Sequence, residues 1–187
     1  MSGWDVSRRA IVLGSLAFVA TGCAWRSDPR YAVDRRFRRQ RVSYQTDEAA
    51  GSIVVDTTDR YLYAVEGNGY AMRYGVAVGE EGLTLKGRVS VGRKEEWPSW
   101  TPTASMIGRK PHLIQYAGGV PGGPNNPLGA RALYLYRNGQ DTAFRIHGTN
   151  EPWLIGQAVS NGCVRLTNED IVDLYDGTPL GTSVLVI

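Results

Sequence analysis

The chain has 187 residues, 42% of them hydrophobic, and a formal net charge of +3, a length that suits one domain with a sizeable core plus additional segments. Residues 1–44 hold nine Arg minus three Asp, a balance of +6, whereas residues 45–187 hold twelve Lys and Arg minus fifteen Asp and Glu, a balance of −3. The basic character belongs to the N-terminal arm, which excludes a nucleic-acid footprint on the body of the chain.

Residues 1–24 read as an export signal. Arg8-Arg9 precedes an apolar run over residues 11–20, too short for a transmembrane helix and arranged as a charged region followed by a hydrophobic one. The arginine pair resembles a twin-arginine signal, with an ordinary secretory signal as the alternative. Ala20-Thr21-Gly22-Cys23 resembles a lipoprotein box, and both lipid anchoring at Cys23 and simple cleavage nearby stay open. Residues 25–50 are rich in Arg with little apolar periodicity, and read as a solvated basic linker. Attraction to anionic lipid or wall polymer is the functional alternative. Residues near Tyr31 and Phe37 are candidates to pack onto the domain.

From residue 51 to 187 the pattern is that of a mainly β domain. Residues 52–56 are β-branched, residues 57–60 turn, residues 61–65 return, and Gly67-Asn68-Gly69 turns into a strand over 70–78. A further strand is expected over 87–93. Trp97-Pro98-Ser99-Trp100-Thr101-Pro102 cannot be a central strand, because proline removes ladder donors; it reads as a rigid aromatic loop, core-packing or substrate-facing. A short helix is expected over 105–112. Residues 118–127 hold four Gly and three Pro, a loop of special backbone geometry placed over a cleft. Residues 132–136 and 143–147 form strands around the turn at Asn138-Gly139. Thr167 starts a helix that Gly177 closes, and residues 183–187 are a last apolar strand. Helices are few and short.

Chemistry concentrates in Ser160-Asn161-Gly162-Cys163-Val164-Arg165. With Cys23 in the leader, Cys163 has no disulfide partner, and a lone thiol in an exported chain is either an inert core residue or a nucleophile. A nucleophilic thiol needs a base or a positive neighbour. The chain has two histidines: His112 beside Pro111 reads as a loop residue, and His147 ends a strand sixteen residues before Cys163. Cys163 and His147 are therefore expected to form a thiolate–imidazole pair. Gly162 has no Cβ, so its backbone can approach a substrate oxyanion closely. Arg165 either neutralises a substrate carboxylate or braces the loop, and Ser160 either bonds within the loop or contacts substrate.

His147-Gly148-Thr149-Asn150, the sixteen-residue gap and Ser160-x-Gly162-Cys163-Val164-Arg165 resemble the signature of the L,D-transpeptidases of the YkuD type. Pro124-Asn125-Asn126-Pro127-Leu128-Gly129 and Asn168-x-Asp170-Ile171 resemble the periplasmic ErfK/YbiS-like branch of that family. The resemblance covers roughly residues 50–187 and implies a β-sandwich-like catalytic domain. It further implies Cys163 as nucleophile, His147 as proton acceptor and donor, and the main-chain carbonyl of Gly148 as the group orienting His147. Arg165, Ser160, Asn161, Thr149 and Asn150 would meet substrate, with no metal or organic cofactor.

The implied substrate is the peptidoglycan stem peptide, in the periplasm or cell envelope. The acyl acceptor is left open: a second stem peptide, an envelope protein, or water, which would make the enzyme an L,D-carboxypeptidase. A non-catalytic wall-binding module is the reading from a different class. One position departs from the pattern: Asn161 stands where His is common, so activity is expected to survive with a changed pH profile. The oligomeric state is not legible.

Overall fold

The computed structural model describes residues 32–80 and 83–187. The expected leader, with Arg8, Arg9 and Cys23, lies outside the described residues, as does Tyr31. The strands are β1 (Gln40–Ser43), β2 (Ile53–Asp56), β3 (Tyr61–Gly67), β4 (Tyr70–Gly75), β5 (Val78–Gly79), β6 (Gly87–Glu96), β7 (Arg131–Arg137), β8 (Gln140–His147), β9 (Ala158–Ser160), β10 (Val164–Arg165) and β11 (Ser183–Val186). The α-helices are α1 (Ala104–Arg109) and α2 (Asn168–Asp176). The domain is mainly β with short helices, as the turn spacing predicts.

Nine strands form one sheet in the order β1-β4-β3-β2-β11-β6-β7-β8-β10, and β5 pairs with β9. The sheet closes back on itself. Tyr74 of β4, Val91 of β6, Ile146 of β8 and Val164 of β10 belong to one continuous buried cluster. A flat sheet would hold β4 and β10 several strand spacings of about 4.8 Å apart. The chain after β4 makes the closure: Ala77 exchanges main-chain hydrogen bonds of 2.9 and 2.8 Å with Arg165. The single strand expected over 70–78 therefore breaks at Gly75, where the chain leaves β3 and crosses to the cysteine-bearing segment.

Helix α2 packs against the same core through Ile171 and Leu174. The Thr167 hydroxyl accepts from the Asp170 N–H at 3.1 Å, and Glu169 and Asp170 sit in the first turn, where carboxylates complement the helix dipole. The helix expected over 105–112 is shorter: α1 stops at Arg109. Pro111 cannot donate to a continuing helix, and it opens a 3-10 turn over Pro111–Tyr116 instead.

The arm packs onto the domain at Phe37, as expected, but departs from the expectation of a linker. Residues 32–50 are not a solvated linker: a 3-10 turn covers Arg35–Phe37, and β1 pairs antiparallel with β4 as the sheet edge. Composition hid this because the arm is tied down by a few specific contacts rather than an apolar stripe. Phe37 is buried, its ring against Gly156 and its Cβ against Gly75, where any added side chain would collide. At the far end Tyr44 stacks on Tyr63 with ring centroids 4.1 Å apart. Arg39 Nη1 meets Asp173 of α2 at 2.7 Å. Replacing Phe37 with Ala should lower the unfolding free energy by about 3 kcal/mol in chemical denaturation. Arg36→Ala, at an exposed neighbour, should change it by less than about 0.5 kcal/mol. Equal effects would mean the arm does not contribute to the fold.

Candidate active site

Strand pairing brings the predicted residues together. Strand β10 runs parallel to β8, with Val164 opposite Ile146 and Arg165 opposite His147. Val164 and Ile146 are buried in the core. Alternation along a strand turns their neighbours Cys163, Arg165, Arg145 and His147 to the other face. Two residues of rise and one strand spacing separate the Cα atoms of Cys163 and His147 by about 8 Å, close enough for their side chains to converge. Cys163, His147, Ser160, Asn161 and Arg165 line one cavity of about 50 Å³, with Trp100 and Met106 on its other walls. No hydrogen bond joins the sulfur to the imidazole directly among the described residues, a looseness common in substrate-free sites.

The imidazole is held in one tautomer. His147 Nδ1 lies 2.5 Å from the Gly148 carbonyl oxygen. A carbonyl only accepts, so Nδ1 carries the proton and Nε2 keeps the lone pair. Close packing fixes that carbonyl. A Cβ on Gly148 would lie 2.3 Å from Asn168 Oδ1, and one on Gly129 would lie 2.1 Å from the same atom. Asn168 Oδ1 accepts from the Ala130 N–H at 2.9 Å, so the first residue of α2 pins both glycine backbones at the end of β8.

Electrostatics correct the expectation of an ionised pair. Burial pushes the His147 imidazole down to about 3, and the Arg165 charge adds to that effect. Burial pushes the Cys163 thiol above its usual value, against the opposing influence of a main-chain hydrogen bond at Arg145 and the charges of Arg145 and Arg165. Both shifts favour the neutral thiol and the neutral imidazole over the ion pair. Cys163 is nonetheless partly exposed as a residue and lines the cavity.

Several of the other predicted residues also brace the site through hydrogen bonds. The Gly162 N–H, expected at the oxyanion, donates to Ser160 Oγ at 3.1 Å, and Ser160 Oγ donates to the Cys163 carbonyl at 2.6 Å. Ser160 thus braces the loop. What Gly162 supplies is conformation: its φ is +120°, and a Cβ there would lie 2.5 Å from the Leu83 carbonyl. Thr149 is buried, its Oγ1 accepting from the Glu151 N–H at 2.9 Å. Asn161 Oδ1 accepts from Arg109 of α1 at 3.3 Å. Asn150 and Arg165 face a second, larger groove of about 510 Å³, which also meets His112.

The two loops of unassigned role build the wall between these spaces. Trp100 and Val120 exchange main-chain hydrogen bonds of 2.9 and 2.7 Å. Buried Asn126 donates to the Val120 and Pro121 carbonyls and accepts from the Leu128 N–H at 2.8 Å. Trp100 faces the cavities and Trp97 is exposed. Asn126 and Asn168 appear in the sequence only within motifs, with no signal of what they hold; Gly79, whose Cβ would lie 2.7 Å from Gly162 Cα, gives none.

This closed β domain, with thiol and imidazole on one face of a parallel strand pair, defines a class. Residues 50–186 match the L,D-transpeptidase catalytic domain family, YkuD, and the chain belongs to that family. It is 37% identical over 150 residues to "Probable L,D-transpeptidase YbiS" of Escherichia coli, covering 75% of this chain and 46% of that protein. It is 35% identical over 148 residues to "Probable L,D-transpeptidase ErfK/SrfK" of the same organism, covering 75% and 45%. The chain thus spans about half the length of these curated relatives.

A crystal structure from Brucella melitensis, described as a probable carnitine operon oxidoreductase, is 49% identical with a TM-score of 0.56, over 85% of this chain and 99% of that one. That description names a chemistry other than the family's. The assignment here rests on the match over residues 50–186 and on the curated relatives. An L,D-transpeptidase from Mycobacterium smegmatis shares the fold, at 18% identity and a TM-score of 0.53 over 72% and 57% of the two chains.

A neutral resting pair has two measurable consequences. Alkylation of Cys163 by iodoacetamide should accelerate about tenfold per pH unit from about pH 6 to above 9, following the thiolate fraction; a plateau reached near neutrality would reveal a stable ion pair instead. Unfolded His147 titrates near 6.5, far above its folded value, so the unfolded chain binds the extra proton between the two. Stability should then fall as pH drops from about 6.5 toward 3. His147→Gln should flatten that part of the curve, and an unchanged slope would place the titration elsewhere.

Proposed function

We propose that this chain is a peptidoglycan L,D-transpeptidase that works through a thioester on Cys163. The observation that carries the reading is the convergence of Cys163 and His147 on one accessible cavity, with the His147 lone pair at Nε2. The acyl donor is a stem tetrapeptide, attacked at the carbonyl between meso-diaminopimelate and D-alanine. Because both groups rest neutral, the thiol proton passes to His147 Nε2 as the carbon–sulfur bond forms. The Gly148 carbonyl holds the resulting imidazolium in place. The Cys163 N–H, without an internal partner among the described residues, is the donor we assign to the developing oxyanion.

Collapse of the tetrahedral intermediate breaks the carbon–nitrogen bond. His147 returns its proton to the departing amine, D-alanine leaves, and the acyl group remains on sulfur. An incoming amine, from a second stem peptide or an envelope-protein lysine, attacks the thioester and gives up its proton to His147. The amide forms and the thiol is restored. Arg145 and Arg165 favour negative charge on sulfur throughout and disfavour a long-lived imidazolium. The location is the cell envelope, reached through the export signal, with Cys23 as the candidate lipid anchor.

Incubation with tetrapeptide should add to the intact protein the mass of the peptide less that of D-alanine, because the thiol proton leaves on the departing amine. Cys163→Ala should show no adduct, and His147→Ala should form it about 10²–10⁴ times more slowly. An adduct that survives Cys163→Ala would sink the assignment.

A further inference from the structure

The larger groove beside the thiol cavity is lined by Asn150, Glu151 and Arg165, whose hydrogen-bonding capacity the mechanism leaves in part unused. Arg165 lines both spaces. Its Nη1 makes one long contact, 3.3 Å, to Glu151 Oε2, while its Nε is buried without a partner. Glu151 lines the groove, has 42% of its side chain exposed, and makes no other side-chain ion pair among the described residues. Asn150 donates through Nδ2 to the Asn125 carbonyl at 3.1 Å, which fixes the orientation of its amide. Its Oδ1 is then a buried acceptor without a donor.

A buried polar atom without a partner is costly, and two residues of this groove carry one: the Nε donor of Arg165 and the Oδ1 acceptor of Asn150. The spare donor belongs to a cation. The spare acceptors are a carboxylate and an amide oxygen. A ligand satisfying all three presents a carboxylate to Arg165 and an ammonium to Glu151 and Asn150: the zwitterionic end of an amino acid. Neither a neutral peptide segment nor a lone amine does so.

We infer that Glu151, with Asn150 and Arg165, reads the free amino-acid end of the acyl donor's diaminopimelate side chain. The inference rests on the proposed reaction and adds the residue that selects the donor. The position of Arg165 between the two spaces suits it, because the side-chain end and the scissile carbonyl belong to one residue of substrate. The ligand's ammonium and carboxylate take over the places that Arg165 and Glu151 fill for one another in the free protein, so their weak mutual contact opens at little cost. A fixed carboxylate beside the ammonium keeps it protonated, which suits a group that is recognised rather than one that attacks. The donor side chain therefore occupies this wall, and the acceptor amine approaches the thioester from elsewhere.

Binding to the full chain carrying Cys163→Ala, measured by calorimetry, tests this without turnover. Three tetrapeptides serve as probes: unmodified, acetylated on the diaminopimelate side-chain amine, and amidated on its side-chain carboxylate. Acetylation and amidation should each weaken binding about five- to tenfold, as expected for partly exposed charged contacts. Adding Glu151→Gln should erase the acetylation penalty and leave the amidation penalty in place. An acetylation penalty that is absent from the start, or that persists after Glu151→Gln, overturns the inference, as does failure of all three peptides to bind. Failure of the protein with an intact thiol to form a thioester, with this binding pattern preserved, would instead overturn the proposed reaction.

Discussion

The whole site depends on the parallel pairing of β10 with β8. Two residues of β10 are enough, because they are held from both sides. The Leu166 N–H donates to the His147 carbonyl at 2.9 Å on one side, and Ala77 bonds Arg165 on the other. The register sets Arg165 level with His147 and sends Val164 into the core. A slip of one residue would exchange the two faces: Cys163 would enter the core and Val164 would face the groove. Burial of Val164 and Ile146 therefore decides where the sulfur points. The braces from Ser160 and Gly162 only shape the last turn before it.

The same packing sets the electrostatics. A sulfur and an imidazole enclosed by loops lose hydration, which penalises thiolate and imidazolium alike. The nearby arginines do not cancel this equally: they ease charge on sulfur and oppose it on the ring. Desolvation thus disfavours a preformed thiolate–imidazolium pair. Asn161 fits that picture, since it adds a hydrogen-bonding amide to the cavity without adding another titrating ring.

The sequence was most informative where the physics is local. Turns at Gly67-Asn68-Gly69 and Asn138-Gly139, the Thr167 cap and the β-branched runs appear where periodicity and turn chemistry place them. The spacing of His147 and Cys163 pointed to the pair, and the Gly148 carbonyl lies where the family resemblance puts it. Three features escaped because they are made by distant contacts. Phe37 was legible as a residue that could pack onto the domain, but its partners, the glycines at 75 and 156, were not. Gly162 was legible as a residue needing freedom, but its N–H is already taken by Ser160. Asn168 and Gly129 meet Gly148 only once α2 packs beside β8, so their shared role in holding His147 has no pattern along the chain. Charge states were the least legible, since burial, not the list of neighbours, reverses the expected ionisation.

The most direct test is nitrogen NMR of the His147 ring before and after a small alkylating reagent is placed on Cys163. The account predicts a neutral ring at pH 7 with the proton on Nδ1, and a marked shift of Nε2 when the sulfur is capped, because the two groups share one cavity. An imidazolium at neutral pH, or ring signals indifferent to capping, would contradict it.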